Sequence, residues 1–272
     1  MAWKAVVDAP DRSEKDKALD AGRHPAETLE FLNLKAGMKA AEIGAGGGYT
    51  TELMARAVGP TGTAYMQNDP SWLSFLKDAI EERFTHPAAK NIVRVDRPFD
   101  DPLPPELKNL DEVVINVIYH DVANMPVDRV RMLREIFNAL QPGGALVIID
   151  SSAKPGTGLQ DTSTLHRIDE QVVRDEAQKA GFKLAAEGNF LRNPQDTRDW
   201  NSSPNAAQKA GKRGTSDRFA FKFVRPEGSA QQIIPPHLRL PPGAKPVRVT
   251  AELSIDPRSR ARRRCCGSTR RS

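Results

Sequence analysis

The sequence predicts an α/β fold in which helices cover both faces of a mostly parallel sheet, and three observations lead to this prediction. Short apolar runs alternate with segments of helical periodicity, at the spacing of βαβ units. Turn signals rich in glycine and proline separate these segments. One apolar run also leads through a glycine-rich loop at residues 44–48 into a helical segment, an arrangement that brings backbone close to a ligand in parallel sheets.

The first half of the chain is predicted to supply three strands and their helices. Residues 1–33 hold leading helices, which the periodicity places over 11–33 with a break at His24 and Pro25, because proline favours the first turn of a helix. The apolar pattern then predicts, in chain order, a strand over 38–43, a helix over 51–58, a strand over 63–67, a helix that includes 72–84 and a strand over 91–95.

The second half is predicted to complete the sheet with four further strands. In chain order, the pattern predicts a strand over 110–118, a helix around 130–140 that stops at 141–144, a strand over 145–149, a helix over 162–180, and closing strands over 182–186 and 218–224. Alternation of strand and helix favours a parallel sheet that is buried on both faces.

The charges divide the chain into a domain over 1–225 and a tail over 226–272. The formal net charge is +5, but the tail holds ten Lys or Arg residues against three acidic ones, so the first 225 residues carry −2. Proline pairs and an Arg/Ser-rich ending predict that the tail is a disordered basic segment, either functional or an artefactual terminus left by a frameshift or readthrough. The nearly neutral domain does not favour nucleic acid as a partner.

Nothing in the sequence indicates secretion or membrane insertion. No apolar run reaches the length of a membrane span, and the start lacks the apolar segment of a signal peptide. Both cysteines, Cys265 and Cys266, are adjacent in the tail, so they give neither a disulfide framework nor the spacing of a metal site. We therefore expect a cytoplasmic protein, and the sequence does not indicate its oligomeric state.

The glycine loop has the pattern Glu-x-Gly-x-Gly-x-Gly over residues 42–48. A dinucleotide-binding loop would need its third glycine at the position of Tyr49, so that pattern fails. The segment instead resembles motif I of the class I S-adenosylmethionine-dependent methyltransferases, whose acidic residue precedes the first glycine by two positions. The resemblance implies S-adenosylmethionine as cofactor and a Rossmann-like class I methyltransferase fold, with seven strands of which the last is antiparallel.

From about residue 15 to residue 225, the chain also resembles an uncharacterised group of predicted methyltransferases. The resemblance rests on the glycine loop and on six further segments at 119–121, 140–144, 166–169, 180–182, 191–194 and 216–219. Two positions depart from the usual patterns. Asn68 stands where class I enzymes usually have an acidic residue for the ribose hydroxyls, and Ser151 stands where this group often has histidine.

Polar residues follow each of the first five strands at its carboxyl end, where open parallel sheets bind ligands, so we expect a single site there. The residues expected to bind the cofactor are Glu42, Gly44, Ala45, Gly46, Gly48, Asn68 and Asp96. Glu42 would order the loop or accept from the cofactor's ammonium group, while the loop offers backbone to the methionine and ribose. Asn68, with Asp69 as the alternative, would contact ribose, and Asp96 would bond the adenine amine.

The catalytic residues are expected to be Tyr119, His120, Asp121 and His166. Methyl transfer from a sulfonium is a direct displacement, so the protein mainly aligns and desolvates the reactants. His120 is the candidate base, because the unperturbed pKa of histidine lies near neutrality. Tyr119 would line the acceptor pocket, and His166 would share one face of the predicted 162–180 helix with Glu170.

Three alternatives stay open beside a methyltransferase with an unidentified, small-molecule acceptor. His120, Asp121, Asp150 and His166 could bind a divalent metal, but no tight ligand spacing supports this, so no metal is assigned. Asn68 and Ser151 motivate a non-catalytic protein that keeps the fold as a cofactor-binding or scaffold module. An RNA methyltransferase would need a basic face on 1–225, which the charge balance does not favour.

Overall fold

The computed structural model describes residues 3–229, which fold around a seven-stranded sheet. In chain order the strands are β1 (Lys39–Ile43), β2 (Thr63–Asn68), β3 (Ile92–Asp96), β4 (Leu110–Asn116), β5 (Leu140–Ser151), β6 (Lys183–Gly188) and β7 (Arg218–Val224). Their order across the sheet is β3-β2-β1-β4-β5-β7-β6. Strands β1 to β5 are parallel, and β7 runs antiparallel to both β5 and β6. The predicted fold class is therefore confirmed, including the antiparallel last strand.

Helices precede the sheet and connect its strands. They are α1 (Lys4–Val7), α2 (Glu14–Arg23), α3 (Pro25–Leu32), α4 (Tyr49–Val58), α5 (Leu73–Thr85), α6 (Tyr119–Val122), α7 (Arg129–Ala139), α8 (Glu170–Lys179) and α9 (Pro204–Lys209). The predicted break between the leading helices is confirmed, because His24 adopts a left-handed conformation between α2 and α3. No helix within residues 3–229 is long and apolar enough to cross a membrane.

Apolar side chains of the central strands alternate between two cores, one on each face of the sheet. In β4, Val113 packs into one core and Val114 into the other, and Leu146 and Val147 of β5 do the same. Helices α7 and α8 cover the first core, whereas α3 and α4 cover the second. Burial on both faces is what a parallel sheet requires.

Only the second part of the helix expected over 162–180 forms, and this difference matters for the site. Helix α8 begins only at Glu170, where the Asp169 side chain caps it by accepting from the Gln171 N–H at 3.0 Å. Before the cap, Ile168 forms an isolated parallel bridge with Ser152. Ile168 thus joins the sheet and Leu165 lies in a turn, although the apolar spacing also fits a helix.

Other elements also differ from the prediction. The strand expected over 145–149 extends over Leu140–Ser151, with a register shift where it pairs with β4. The strand expected over 110–118 ends at Asn116, and helices α6 and α9 were not predicted. The domain boundary at 225 stays a prediction. The predicted tail beyond residue 229 lies outside the described residues.

Candidate active site

A cleft of about 430 Å³, called here the polar cleft, opens beside the glycine loop at the carboxyl ends of β1 and β4. Loop residues 44–47 and the strand end at Asn116 line one side. His120, Asp121 and His166 lie on the same cavity, and α2 contributes another part of its wall. Several separate parts of the chain thus meet at one cavity.

The loop turns through glycines in left-handed backbone, with φ of +68° at Gly44, +57° at Gly46 and +81° at Gly48. A Cβ added at Gly44 would lie 2.7 Å from the Cδ1 of Ile118. A Cβ added at Gly46 would meet no protein atom within 4 Å. Gly46 therefore borders open space in the cleft, where a ligand can approach the backbone closely.

Four of the five loop N–H groups are already bonded within the protein. The Gly44 N–H donates to Gln67 Oε1, and the Ala45 N–H donates to the Gln67 carbonyl. The Gly46 N–H donates to Asn68 Oδ1, and the Gly48 N–H donates to the Ala45 carbonyl. Each of these distances is 2.8 or 2.9 Å. A phosphate-binding loop presents such N–H groups to its anion. These four residues therefore suit a ligand that needs close approach to backbone, and they do not form a pyrophosphate cradle.

Asn68 ends β2 and is buried beneath the loop. Its Oδ1 accepts from the Gly46 N–H at 2.8 Å, and its Nδ2 donates to the Gly46 carbonyl at 3.0 Å. The Asp69 carboxylate accepts from the N–H groups of Ser71 and Phe99. Both ends of the Asn68 amide are thus engaged by the loop, which places Asn68 as a support of the loop instead of the expected contact to ribose.

Glu42 is the second-to-last residue of β1 and connects this strand to the helix that follows the loop. Its carboxylate accepts from the hydroxyl of Thr51, in the first turn of α4, at 2.5 Å. Burial raises the pKa of Glu42, although the Thr51 bond and the charge of Arg23 oppose this effect. Glu42 also lines the polar cleft. Of its two expected roles, this bond supports the ordering of the loop.

Arg83 of α5 ties the loop to two helices. Its Nε donates to the Gly47 carbonyl at 2.8 Å, and its guanidinium pairs with Asp16 of α2 at 2.7 Å. The same group also pairs with Glu52 of α4. Because all three partners share one buried guanidinium, α2 is held beside the loop as a wall of the polar cleft.

A second cavity of about 410 Å³, called here the apolar groove, adjoins the polar cleft. Trp72, Phe75, Ile118 and Met125 line it. The two cavities share Gly44 and Gly46 of the loop, together with Ile118 and Asp121. The Phe75 residue is 68% exposed, and an exposed aromatic ring in a groove is typical of a ligand-binding surface.

Asp96 lies apart from the other expected cofactor residues. It ends β3 in register with Asn68, and its carboxylate accepts from the Nε of Arg94 at 2.8 Å. It borders a separate surface groove with Arg97 and Leu107, not the polar cleft or the apolar groove. The structure therefore does not bring Asp96 to the cavity formed by the loop.

His120 is fixed by Asp150, at the end of β5. The His120 N–H donates to Asp150 Oδ2 at 2.9 Å, and its ring Nδ1 lies 2.7 Å from Asp150 Oδ1. Burial alone would lower the pKa of His120, but the carboxylates of Asp150 and Asp121 raise it to about 10. The two carboxylates thus favour the charged form of the ring. The role of His120 as the base stays a prediction.

Asp121 joins the two histidines of the cleft. Its Oδ1 lies 3.3 Å from His120 Nε2 and 3.4 Å from His166 Nδ1. Burial works to raise the pKa of Asp121, but its contacts with the two histidines lower it overall. Three of the four expected catalytic residues therefore come together.

His166 reaches this cluster from a loop and not from a helix. Its backbone is left-handed, with φ of +52°, and α8 starts at Glu170. The expected pairing of these two residues on one helical face is therefore wrong, and Glu170 instead pairs with Arg192 at 2.6 Å. The neighbouring Arg167 is fully buried and pairs with Asp196 at 2.8 Å, which fixes the loop.

Tyr119 points away from the cleft, so the expectation that it lines the acceptor pocket is wrong. It is fully buried, and its hydroxyl donates to Glu176 Oε2 at 2.6 Å. Glu176 belongs to α8 and also accepts from the Nε of Arg129 at 2.9 Å. Tyr119 therefore ties α6 to α7 and α8.

Sequence reasoning missed two parts of the cleft wall. Helix α2 contributes Arg23, and the segment before α9 contributes Ser202 and Ser203. Asn116, which the sequence places in the interior of a strand, also lines the cleft and donates to Thr50 at 3.0 Å. Its position as the last residue of β4 was the available signal. The other two parts carry no comparable signal, because neither directly follows a strand.

Comparison with known families gives a partial match. Residues 2–69 match the family model described as protein-L-isoaspartate(D-aspartate) O-methyltransferase. This match includes the leading helices, the glycine loop and β2. It ends before Asp121 and His166, so it concerns the loop side of the cleft and not the histidine side.

A curated relative is the demethylmenaquinone methyltransferase of Anoxybacillus flavithermus, which is 28% identical over 155 residues. The alignment covers 55% of this chain and 60% of that protein. The chain thus spans three fifths of the length of this relative.

Several solved structures share the fold at low sequence identity. A SAM-dependent methyltransferase from Aquifex aeolicus has a TM-score of 0.51 at 15% identity, and the match covers 80% of this chain and 96% of that one. A protein from Galdieria sulphuraria, described as a sarcosine dimethylglycine methyltransferase, has a TM-score of 0.55 at 17% identity, with coverage of 81% and 90%. The [4+2]-cyclase SpnF has a TM-score of 0.52 at 14% identity, with coverage of 76% and 81%. Together with the sequence matches, they confirm the predicted class I methyltransferase fold and S-adenosylmethionine as the cofactor of that class.

Proposed function

From the class I methyltransferase fold of this chain, we propose that it transfers the methyl group of S-adenosylmethionine to a small-molecule acceptor bound in the polar cleft. The observation that carries this proposal is the meeting of two unlike cavities at the glycine loop. The apolar groove offers aromatic and aliphatic side chains, whereas the polar cleft offers charged ones. S-adenosylmethionine has the same division, since its adenine is flat and its methionine portion is charged.

In this proposal the loop holds the centre of the cofactor. Adenine lies in the apolar groove against Phe75, and the methionine portion extends past Gly46 into the polar cleft. The absence of a Cβ at Gly46 permits the close approach. The bonded loop N–H groups support this assignment, because the cofactor carries no phosphate that would need them.

The acceptor occupies the other side of the polar cleft, beside Asp121 and His166. A sulfonium methyl is already activated, so alignment and exclusion of water supply most of the acceleration, on the order of 7–11 kcal/mol where alignment is good. His120, Asp121 and His166 line this part of the cleft and face the acceptor. Asp150 acts as a positioning residue behind His120.

A small acceptor is favoured by the shape and charge of the cleft. The cavity is about 430 Å³ and is walled by α2 and by the segment before α9, a size that suits a small ligand. The relatives are named for demethylmenaquinone and for isoaspartate in proteins. The isoaspartate match ends before the histidine side of the cleft, so it supports the cofactor and not that acceptor.

Calorimetric titration with S-adenosylmethionine tests the cofactor. We expect saturable binding with a stoichiometry of one, and its absence would contradict the proposal. Turnover is then measured as S-adenosylhomocysteine formed with a panel of small acceptors. We expect His166→Asn to lose turnover while it keeps cofactor binding, because His166 lines the polar cleft and not the apolar groove.

The alternative is a protein that binds the cofactor without transferring its methyl group. The fold match to SpnF favours this alternative, because SpnF is named as a cyclase and not as a methyltransferase. Cofactor binding without S-adenosylhomocysteine formation across the panel would favour this alternative.

A further inference from the structure

We propose that His120, Asp121 and His166 bind one divalent transition-metal ion on the acceptor side of the polar cleft. The three side chains come from α6 and from the loop before α8, and each offers one ligand atom. These atoms all lie within 4.8 Å of one another. The set has no short, regular spacing in the sequence, because His166 lies far along the chain from the other two residues. For this reason the sequence alone did not indicate a metal site.

The two distances from Asp121 to the histidines match those of neighbouring metal ligands. Two donors that each lie about 2.1 Å from an ion are separated by roughly 3.0–3.4 Å at octahedral or tetrahedral angles. The Asp121 Oδ1 lies 3.3 Å from His120 Nε2 and 3.4 Å from His166 Nδ1. Both contacts are longer than an ordinary hydrogen bond between charged groups, which is about 2.7–2.9 Å.

A carboxylate behind the cluster orients one of the ligands. Asp150 is fully buried, and its Oδ1 lies 2.7 Å from the Nδ1 of His120, on the opposite side of the ring from Asp121. Metal-binding histidines commonly donate their second ring nitrogen to a carboxylate in this way, which fixes the tautomer and the ring. Asp150 therefore orients His120 and does not bind the metal itself. The proposed ligand set thus omits Asp150, which the sequence analysis had included among four candidate ligands.

The second histidine is also held in place by its backbone. His166 adopts a left-handed conformation that is uncommon for residues other than glycine. Its carbonyl accepts from the Ser202 hydroxyl at 2.7 Å, and the adjacent Arg167 is anchored by Asp196. A strained position retained by several bonds is typical of functional sites.

The chemistry of the ligands indicates the class of metal. Two imidazole nitrogens and one carboxylate suit Zn²⁺, Fe²⁺, Co²⁺ or Mn²⁺, whereas Mg²⁺ and Ca²⁺ prefer sites made of oxygen ligands. Three protein ligands leave coordination positions open. These positions face the polar cleft that all three side chains line, where an acceptor oxygen could occupy one of them.

The experiment is a titration of the full-length chain with Co²⁺, followed by visible absorbance and equilibrium dialysis. All proteins carry Cys265→Ser and Cys266→Ser, so that thiolates cannot bind the probe. We expect one Co²⁺ per chain, with Zn²⁺ displacing it and Mg²⁺ failing to do so. No S-adenosylmethionine is required, so the outcome is independent of the proposed methyl transfer.

Three variants locate the ion. Asp121→Asn and His166→Ala are expected to weaken Co²⁺ binding by at least 10-fold, and Asp150→Asn by about 10- to 100-fold through His120. His24→Asn is the matched control, because it removes a histidine outside the cluster at a left-handed position that asparagine tolerates. Circular dichroism checks that each variant is folded, and Asp121→Asn decides the question if His166→Ala is not. Absence of saturable binding, or binding that Asp121→Asn leaves unchanged, would overturn the proposal.

Discussion

Replacing Gly46 by alanine should have two effects that can be measured separately: a small loss of protein stability and a loss of ligand affinity. Gly46 has φ of +57°, and an added Cβ would meet no protein atom within 4 Å. The substitution therefore costs the protein only backbone strain, about 1–2 kcal/mol. That loss corresponds to a fall of roughly 2–8 °C in Tm for a domain of this size.

The same methyl group would occupy the space in which the cofactor is proposed to lie. Forcing an extra methyl into a packed contact costs about 1–3 kcal/mol, so the Kd for S-adenosylmethionine should rise about 5- to 150-fold. Calorimetric titration measures the Kd, and thermal unfolding followed by circular dichroism measures the Tm.

Gly158 supplies the matched control. It has φ of +58° and open space around its Cβ position, and its N–H is bonded to the side chain of Asp169 as that of Gly46 is to Asn68. Gly158→Ala should lower the Tm by a similar amount and leave the Kd unchanged. The reasoning is refuted if Gly46→Ala binds the cofactor as wild type does, or if both variants lose binding equally.

Three further predictions concern a buried acid, a buried hydroxyl and an exposed ring. Burial raises the pKa of Glu112 to about 8 although Lys222 lies nearby. Because the folded-state pKa exceeds the unfolded value of 4.5, Glu112 lowers stability as pH rises from about 4.5 to 8. Glu112→Gln should raise the free energy of unfolding by a few kcal/mol at pH 9 and by far less at pH 4.5 in urea titrations; an equal effect at both pH values would contradict this. Tyr119→Phe should lower the free energy of unfolding by about 1.5–3 kcal/mol through the lost bond to Glu176, with KM for the acceptor unchanged; a selective rise in KM would instead place Tyr119 in the acceptor pocket. Phe75→Ala should leave Tm nearly unchanged, because the residue is 68% exposed, while weakening S-adenosylmethionine binding about 2- to 10-fold in calorimetry; unchanged binding would remove adenine from the apolar groove.

Local patterns were sufficient for the sheet and for the loop. The apolar run at 110–118 predicts a strand, and the alternation of Val113, Val114 and Ile115 between two cores follows from the period of two of any strand. The left-handed angles of Gly44, Gly46 and Gly48 likewise follow from residue type. The glycine loop and the strands around it were therefore predictable.

Side-chain direction and protonation were not predictable, because they depend on residues far away in the chain. Tyr119 and His120 are neighbours, yet one points into the core and the other lines the cleft. The pKa of His120 is set largely by Asp150, which is 30 residues away and arrives from another strand. The spacing around His166 fits a helix, but the bonds of Arg167 to Asp196 and the bridge at Ile168 hold this stretch in a non-helical conformation.

The internal bonding of the glycine loop has a thermodynamic consequence. Since four of its five N–H groups are bonded to Gln67, Asn68 and the loop itself, the loop is ordered before any ligand arrives. The conformational entropy of these residues is lost during folding and not during association. The four bonded amide hydrogens should consequently exchange slowly with solvent in the free protein. The heat capacity change of cofactor binding should report burial of the cofactor and of the surface it covers, without a contribution from folding of the loop.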